Sequence, residues 1–450
     1  MENYLKVLII ILILSVFFSD WGIFTQRAGR VTFPLPDIFA ILFIIVWFFR
    51  KLIRGKLAFS QNSIIIFLAI LGIIVSGSIG GWMHFQKIDK IEHVYGIVKL
   101  LFWGIFIFTW IDLIQKIYKN IRFSSKLWKY YLNGSFIVSA IAIFQYLFYL
   151  IFHQHLNLSP FFQQHWGVYG GYYRATAIFQ EPSFLGVILL PPLIAEIKLF
   201  LTKDKLSYLC KALFIFCGLL VSFSLGSFLV LGAWLIFEFL EWIYKKMAIF
   251  LKTKVKRQEI VSIFTVLILG LVGLIFFFSY LSSLVMPRLN YEFNKITSYI
   301  LGQNTKYSSG IGRFSSYEGF IAILKNSPLF GVGFDQENYI GQLLGKTFES
   351  NTGSGIFGFI GTSTGIIGVI LLFYILWFIF KGGNYKNKIK LKEELQPNLL
   401  IIGKTIVIVL LLEQLISYGG ILNPDFWLPL AFASLLIRSG QYQIQNGIEK

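Results

Sequence analysis

The chain has 450 residues, 56% of them apolar and only 14% charged, with a formal net charge of +18. Soluble domains carry about 25% charged residues, so the composition excludes an ordinary water-soluble protein and predicts an integral membrane protein. The basic residues are dispersed in short runs between apolar segments instead of gathering on one face, which excludes a nucleic-acid-binding protein.

A crossing needs about 20 apolar residues. On that measure the chain is an all-α, polytopic membrane protein with about twelve transmembrane helices, near 4–20, 34–50, 63–80, 94–112, 131–152, 182–201, 207–223, 226–244, 260–282, 354–380, 398–416 and 421–437. The seventh and eighth are short and are separated only by Ser222-Phe-Ser-Leu-Gly226, so one broken hairpin is an alternative. Three regions result: a bundle over 1–282, a large loop with short helices over 283–353, and a closing set of helices with a tail over 354–450.

Loops rich in lysine and arginine stay cytoplasmic. Runs such as Arg50, Lys51, Arg54, Lys56 and Lys245, Lys246, Lys252, Lys254 alternate with loops carrying far fewer basic residues. Both termini are therefore expected in the cytoplasm and the segment Met286 to Asn351 outside. Tryptophans near the helix ends, among them Trp47, Trp82, Trp128 and Trp377, fit interfacial belts. Cys210 and Cys217 are seven apart, share a helix face and read as free core thiols.

Chemistry is expected on the outer side. The second-longest outer loop ends in Arg174-Ala-Thr-Ala-Ile-Phe-Gln-Glu-Pro-Ser183. Pro182 fits the first position of a helix, where its missing N–H costs nothing, and Glu181 stands beside that start. The positive helix end and its free amides suit an anion, and Arg174 adds a permanently charged planar fork. The plainer readings are a dipole-favouring charge for Glu181 and an interfacial anchor for Arg174.

In the large loop, Arg313 heads a helix with Phe314, Tyr317, Phe320, Ile321 and Leu324 at three- and four-residue spacing, a stripe for the membrane surface or the bundle. A cation at a helix start opposes the dipole, so an anionic partner explains Arg313 better than capping does. Arg288, just after Pro287, reads as a snorkelling anchor or a third anion contact. Gly331-Val-Gly333 then gives a turn followed by the carboxylates Asp335 and Glu337, otherwise a solvated loop.

All five histidines fall in predicted outer loops. His153, His155 and His165 have no carboxylate at ligand spacing nearby, so neither a metal nor another cofactor is expected. Lys99, Glu196, Glu238, Lys404 and Glu413 are charges within or near membrane helices, functional candidates by default.

Four stretches together resemble the O-antigen polymerase and O-antigen ligase superfamily of bacterial lipid-linked glycan enzymes. They are Arg174 through Phe179-Gln-Glu-Pro-Ser183, Ser222-Phe-Ser-Leu-Gly226, Gly312-Arg313-Phe314 with Pro328-Leu-Phe-Gly-Val-Gly333, and Gly365-Ile-Ile-Gly368. The chain departs from the pattern twice. It has Ser350-Asn351 where ligases carry a histidine followed by asparagine, which favours a polymerase. It has Ser224-Leu225-Gly226 where many members have Ser-Arg-Gly, which removes an arginine there.

The resemblance implies a glycosyltransferase of the inner membrane that moves a growing glycan from undecaprenyl diphosphate onto a new lipid-linked repeat unit. Its partners would be the undecaprenyl-diphosphate-linked oligosaccharide, membrane lipid and a chain-length regulator protein. In this reading Arg174 and Arg313 hold the diphosphate with Arg288, Glu181 accepts the acceptor's proton with Asp335 or Glu337 next, and Tyr317 contacts substrate. The alternatives are a ligase-type transfer to a lipid or protein acceptor, and a transporter or flippase without covalent chemistry.

Overall fold

The computed structural model describes residues 2–19, 21, 34–53, 55, 59–158, 173–250, 294–301, 309–334, 336–344, 355–382, 398–416 and 422–446. Among these residues the regular structure is all helical, without a β-strand. The helices are α1 (Glu2–Leu14, extended by one tight turn Ser15–Phe18), α2 (Leu35–Ile53), α3 (Gln61–Met83), α4 (Lys90–Ile117), α5 (Ile121–Phe152), α6 (Pro182–Lys203), α7 (Leu206–Ser222) and α8 (Leu225–Phe250). After a helical stretch at 294–300 come α9 (Ser309–Asn326), α10 (Glu337–Leu343), α11 (Thr362–Lys381, entered through a wide turn Ile356–Gly361), α12 (Asn398–Ile416) and α13 (Pro424–Gln445).

Every predicted crossing except 260–282, which lies outside the described residues, coincides with a helix. Among the described residues, six helices are long and apolar enough to span a bilayer: α3, α4, α5, α6, α12, and α11 with its entering turn. That set makes the chain a helical membrane protein. α2 falls outside it because Asp37, Arg50 and Lys51 interrupt its apolar run, and α7 and the α1 segment are shorter.

Local chemistry sets the helix ends. Ser60, Asp89 and Asn120 accept first-turn amide hydrogens of α3, α4 and α5, the usual work of N-cap residues. Pro182 and Pro424 open α6 and α13, where a missing N–H costs nothing.

α13 is the axis of the bundle. Nearly every residue from Pro424 to Gly440 is buried, and α1, α4, α5, α11 and α12 pack around it. Its closest neighbour is α12, where Gly403 and Gly440 let the backbones touch: a Cβ on Gly403 would lie 2.9 Å from the Ala433 carbonyl oxygen, and one on Gly440 2.6 Å from the Leu400 nitrogen. Small residues at such crossings are how helices associate where lipid removes the hydrophobic drive.

Several charges inside the bundle are paired, which offsets their burial in hydrocarbon. Lys99 of α4 meets Asp37 of α2, and Lys198 of α6 meets Glu238 of α8. Asp112 of α4 takes Lys51 at 2.9 Å, the Trp47 indole at 3.1 Å and the Ser60 amide at 3.1 Å.

Three expectations are corrected. Cys210 and Cys217 are exposed, because the face they share points away from the one α7 buries through Ala212, Ile215 and Leu219. Trp82 and Trp377 are exposed, but Trp47 and Trp128 are core residues, the former held by its indole bond to Asp112. The helix expected to begin at Arg313 begins at Ser309, which sets Arg313 one turn inside it and weakens the dipole argument.

Candidate functional site

The site is built at the end of the bundle where α5 and α7 finish and α6 and α8 begin. Residues 173–181 come back into this end as an ordered segment. Gln145 of α5 fixes it: its Oε1 accepts the amide hydrogens of Thr176 and Ala177, each at 2.9 Å, and its Nε2 donates to the Leu156 carbonyl at 2.7 Å. The Ala175 amide donates to the Val221 carbonyl at 2.9 Å, and the Trp21 indole donates to the Ile178 carbonyl at 3.0 Å. Tyr173 is buried and stacks on Tyr149 with ring centroids 4.4 Å apart. Burial, then the neighbouring Tyr149, holds its phenol well above the usual tyrosine range. His155 stacks on the other aromatic pair member at 5.2 Å, and burial keeps its imidazole below the usual histidine range.

This anchoring delivers Arg174, only 9% exposed, to the break between α7 and α8. Its Nε donates to the Ser222 carbonyl at 3.3 Å, at the negative end of the α7 dipole. The break is made by Phe223, whose φ of 45° stops α7, and it is stitched by serines. The Ser224 amide donates to Ser222 Oγ at 3.2 Å, and Ser224 Oγ lies 2.9 Å from Ser227 Oγ. The second turn of α6 sits directly against this serine turn, since a Cβ on Gly186 would lie 2.0 Å from Ser227 Oγ. Two helix N-termini and a buried guanidinium therefore share one place, a positive environment suited to a multiply charged anion.

Glu181 is exposed at the other end of the segment. It occupies the position before α6 in extended conformation, does not cap the helix with its carboxylate, and accepts from Ser183 Oγ at 3.1 Å.

The segment after α9 closes a different part of the same end. The turn 328–333 lies along a break in α11, where Gly365 has φ 63° and ψ −160°. Val332 and Gly333 amides donate to the Thr362 and Ser363 carbonyls at 2.9 and 3.0 Å, and the Ile366 amide donates to the Pro328 carbonyl at 2.9 Å. Phe334 is inserted between α3 and α4: a Cβ on Gly77 would lie 2.5 Å from its ring and one on Gly96 2.4 Å from its Cβ. Its amide donates to His93 Nδ1 at 3.0 Å. Gln336 locks the start of α4 by exchanging bonds with the Asp89 backbone at 2.7 and 2.9 Å. The two glycine motifs of the sequence thus interlock, the Pro328–Gly333 turn filling the gap that Gly365 opens.

The predicted residues divide accordingly. Arg174 and Glu181 share the ordered segment, and Arg174 meets the Ser222–Gly226 motif. Tyr317 lies elsewhere, its hydroxyl donating to the Leu415 carbonyl at the end of α12 and its ring 6.2 Å from Phe357. α9 buries Ile311, Ser315, Gly319 and Ile323, leaving Tyr317 and Ile321 exposed, so the predicted stripe is only half the packed face. Arg313 and Glu337 belong to α9 and α10, with their side chains outside the described residues, as are Arg288 and Asp335 altogether. Gln145 and Phe334 escaped the sequence reading; the glycines at 77 and 96, which make room for one apolar side chain, are the signal that points to the second.

Compared with protein-family models, curated proteins and solved structures, the chain has no match.

Proposed function

We propose that the chain is a polymerase of lipid-linked glycans, working at the outer face of a bacterial inner membrane with both termini in the cytoplasm and about twelve crossings. The observation that supports this reading is the buried Arg174 guanidinium at the α7–α8 break, beside the N-terminal turns of α6 and α8. A diphosphate has the charge and the geometry for such a place.

In the reaction, an acceptor hydroxyl oxygen bonds to the anomeric carbon of the growing chain. The bond from that carbon to the diphosphate breaks, and its electron pair leaves with the polyprenyl diphosphate. Arg174, with Arg313 and Arg288 as further contacts, stabilises the charge that develops on the leaving group. Glu181 accepts the hydroxyl proton, with Asp335 and Glu337 as alternatives. Holding two membrane-anchored substrates in line supplies much of the remaining rate. A ligase-type transfer uses the same chemistry and differs in its acceptor.

A second reading, a lipid-linked glycan transporter, draws on the interrupted helices. α11 is broken at Gly365, and α6 and α13 carry internal prolines at Pro191, Pro192 and Pro429, the kind of discontinuity transporters use around a central site. Purified protein given lipid-linked repeat units in detergent separates the two: a longer glycan on lipid supports the polymerase, and unchanged substrate supports the transporter.

A further inference from the structure

Phe334 is the side chain that the segment 328–334 buries between α3 and α4, and a histidine fastens it there. Its ring is wholly buried, and its backbone amide donates at 3.0 Å to Nδ1 of His93, near the start of α4. An amide nitrogen can only donate. The docked segment therefore requires a bare lone pair on His93 Nδ1, with the single proton of the neutral imidazole on Nε2.

The imidazole has no room to turn away from this bond. A Cβ on Gly81 of α3 would lie 2.4 Å from His93 Nε2, and one on Gly333 2.9 Å from Nδ1. The His93 and Phe334 rings are stacked, with centroids 5.9 Å apart and planes inclined by 20°. A proton added at Nδ1 therefore faces the Phe334 N–H directly. One hydrogen bond is replaced by two opposed donors, and the amide loses its acceptor.

The other titratable groups of the elements around the ring are of different kinds. At the end of α3, His84 is turned to the Tyr339 hydroxyl at 3.4 Å. Lys87 and Lys90 are exposed, the latter over the Phe85 ring at 4.2 Å, and Lys99 holds Asp37. The Asp89 carboxylate accepts the Ile91 and Glu92 amides at 3.0 and 3.3 Å. Glu92 follows on α4, while Asp335 and the Glu337 side chain lie outside the described residues. Carboxylates titrate at about 4 and lysines above 10, so a change between neutral and mildly acid pH belongs to the two histidines.

From this geometry we infer that His93 is a proton-operated latch: neutral, it holds Phe334 between α3 and α4, and protonated, it releases the segment 328–334. Release is confined to that segment, because Gln336 fastens α10 separately through bonds with the Asp89 backbone that do not titrate. It uncovers the break at Gly365, which the segment fills while the Ile366 amide donates to the Pro328 carbonyl. The inference is independent of whether the chain polymerises or transports glycans.

The test is hydrogen exchange read by mass spectrometry on the full-length protein in nanodiscs, from pH about 7.5 to about 5.5, above the carboxylate range. Each rate is taken relative to the intrinsic rate at that pH, and His84→Phe is the parent protein, so that the contact with Tyr339 does not titrate. Docking selects the neutral ring, so protection within 328–334 is full above the ordinary histidine value and falls below it. The fall should approach about tenfold per pH unit below ~6.5, while 336–343 stay protected. Adding His93→Asn puts an amide oxygen in the place of Nδ1, an acceptor that does not titrate, and should make the profile flat. Equal protection of 328–334 at both ends of the range in the parent would overturn the inference without the second variant. An undiminished acid loss after His93→Asn would overturn it as well.

Discussion

Arg174 Nε lies 3.3 Å from the carbonyl oxygen of Ser222, so a side chain from one loop is clamped to the last turn of α7. The bond orients the guanidinium plane as well as its charge. Replacing Arg174 with alanine should leave the protein inserted and lower glycan extension by about 10²–10³-fold, the usual loss for one preorganised charge-stabilising donor. Lysine should recover little of it, because a point charge lacks the fork. Gel analysis of lipid-linked glycan in membrane vesicles reads both; wild-type extension by the alanine variant would remove Arg174 from the chemistry.

Gln145 is the post that holds the Arg174 segment. Gln145→Leu leaves the Thr176 and Ala177 amides without their shared acceptor, at about 1–3 kcal/mol for each buried donor stranded. A lower Tm and a loss of extension should appear together, whereas a fall in activity at unchanged Tm would assign Gln145 to substrate.

At Gly365 and Gly331 the backbone is left-handed, with φ 63° and 66°. A methyl group at Gly365 would lie 2.4 Å from the Leu329 backbone, and one at Gly331 2.4 Å from the Thr362 carbonyl oxygen. Either alanine variant should undock the 328–333 turn, seen as new protease cleavage within 327–344. Gly55→Ala is the control: φ is 59° with nothing within 4 Å, so it carries only the ~1–2 kcal/mol of left-handed backbone and should leave cleavage unchanged.

Docking of α10 should depend on pH through His84, whose Nδ1 lies 3.4 Å from the Tyr339 hydroxyl. Burial first, and then Lys87, lower its pKa from the ordinary value, so the folded state favours neutral imidazole. That contribution is present above the ordinary histidine pKa and is lost as pH falls through the lowered folded value. The protection of amides 336–343, taken as exchange relative to the intrinsic rate at each pH, should therefore fall on acidification, and His84→Phe should flatten the profile. Protection that rises toward acid would reverse the sign and refute the assignment.

The helices were legible because a bilayer demands long apolar runs, and the Pro182 start was legible from proline's missing N–H. The site was legible only in part. Arg174 and the serine break are far apart in sequence, and their meeting depends on Gln145, a polar residue inside an apolar run whose role only tertiary packing reveals. Arg313 looked like a helix start because the glycine-rich stretch before it reads as loop, yet the helix continues back to Ser309.

The central claim is that this end of the bundle grips a lipid diphosphate while two glycans are joined. Its most direct measurement is incubation of the purified wild-type protein with synthetic polyprenyl-diphosphate-linked repeat units, followed by mass spectrometry of the lipid fraction. The account predicts a ladder of lipid-linked products longer by whole repeat units, with free polyprenyl diphosphate released once per linkage and both reduced about 10²–10³-fold in Arg174→Ala. Recovery of only the starting lipid, or an identical ladder from the variant, would contradict it.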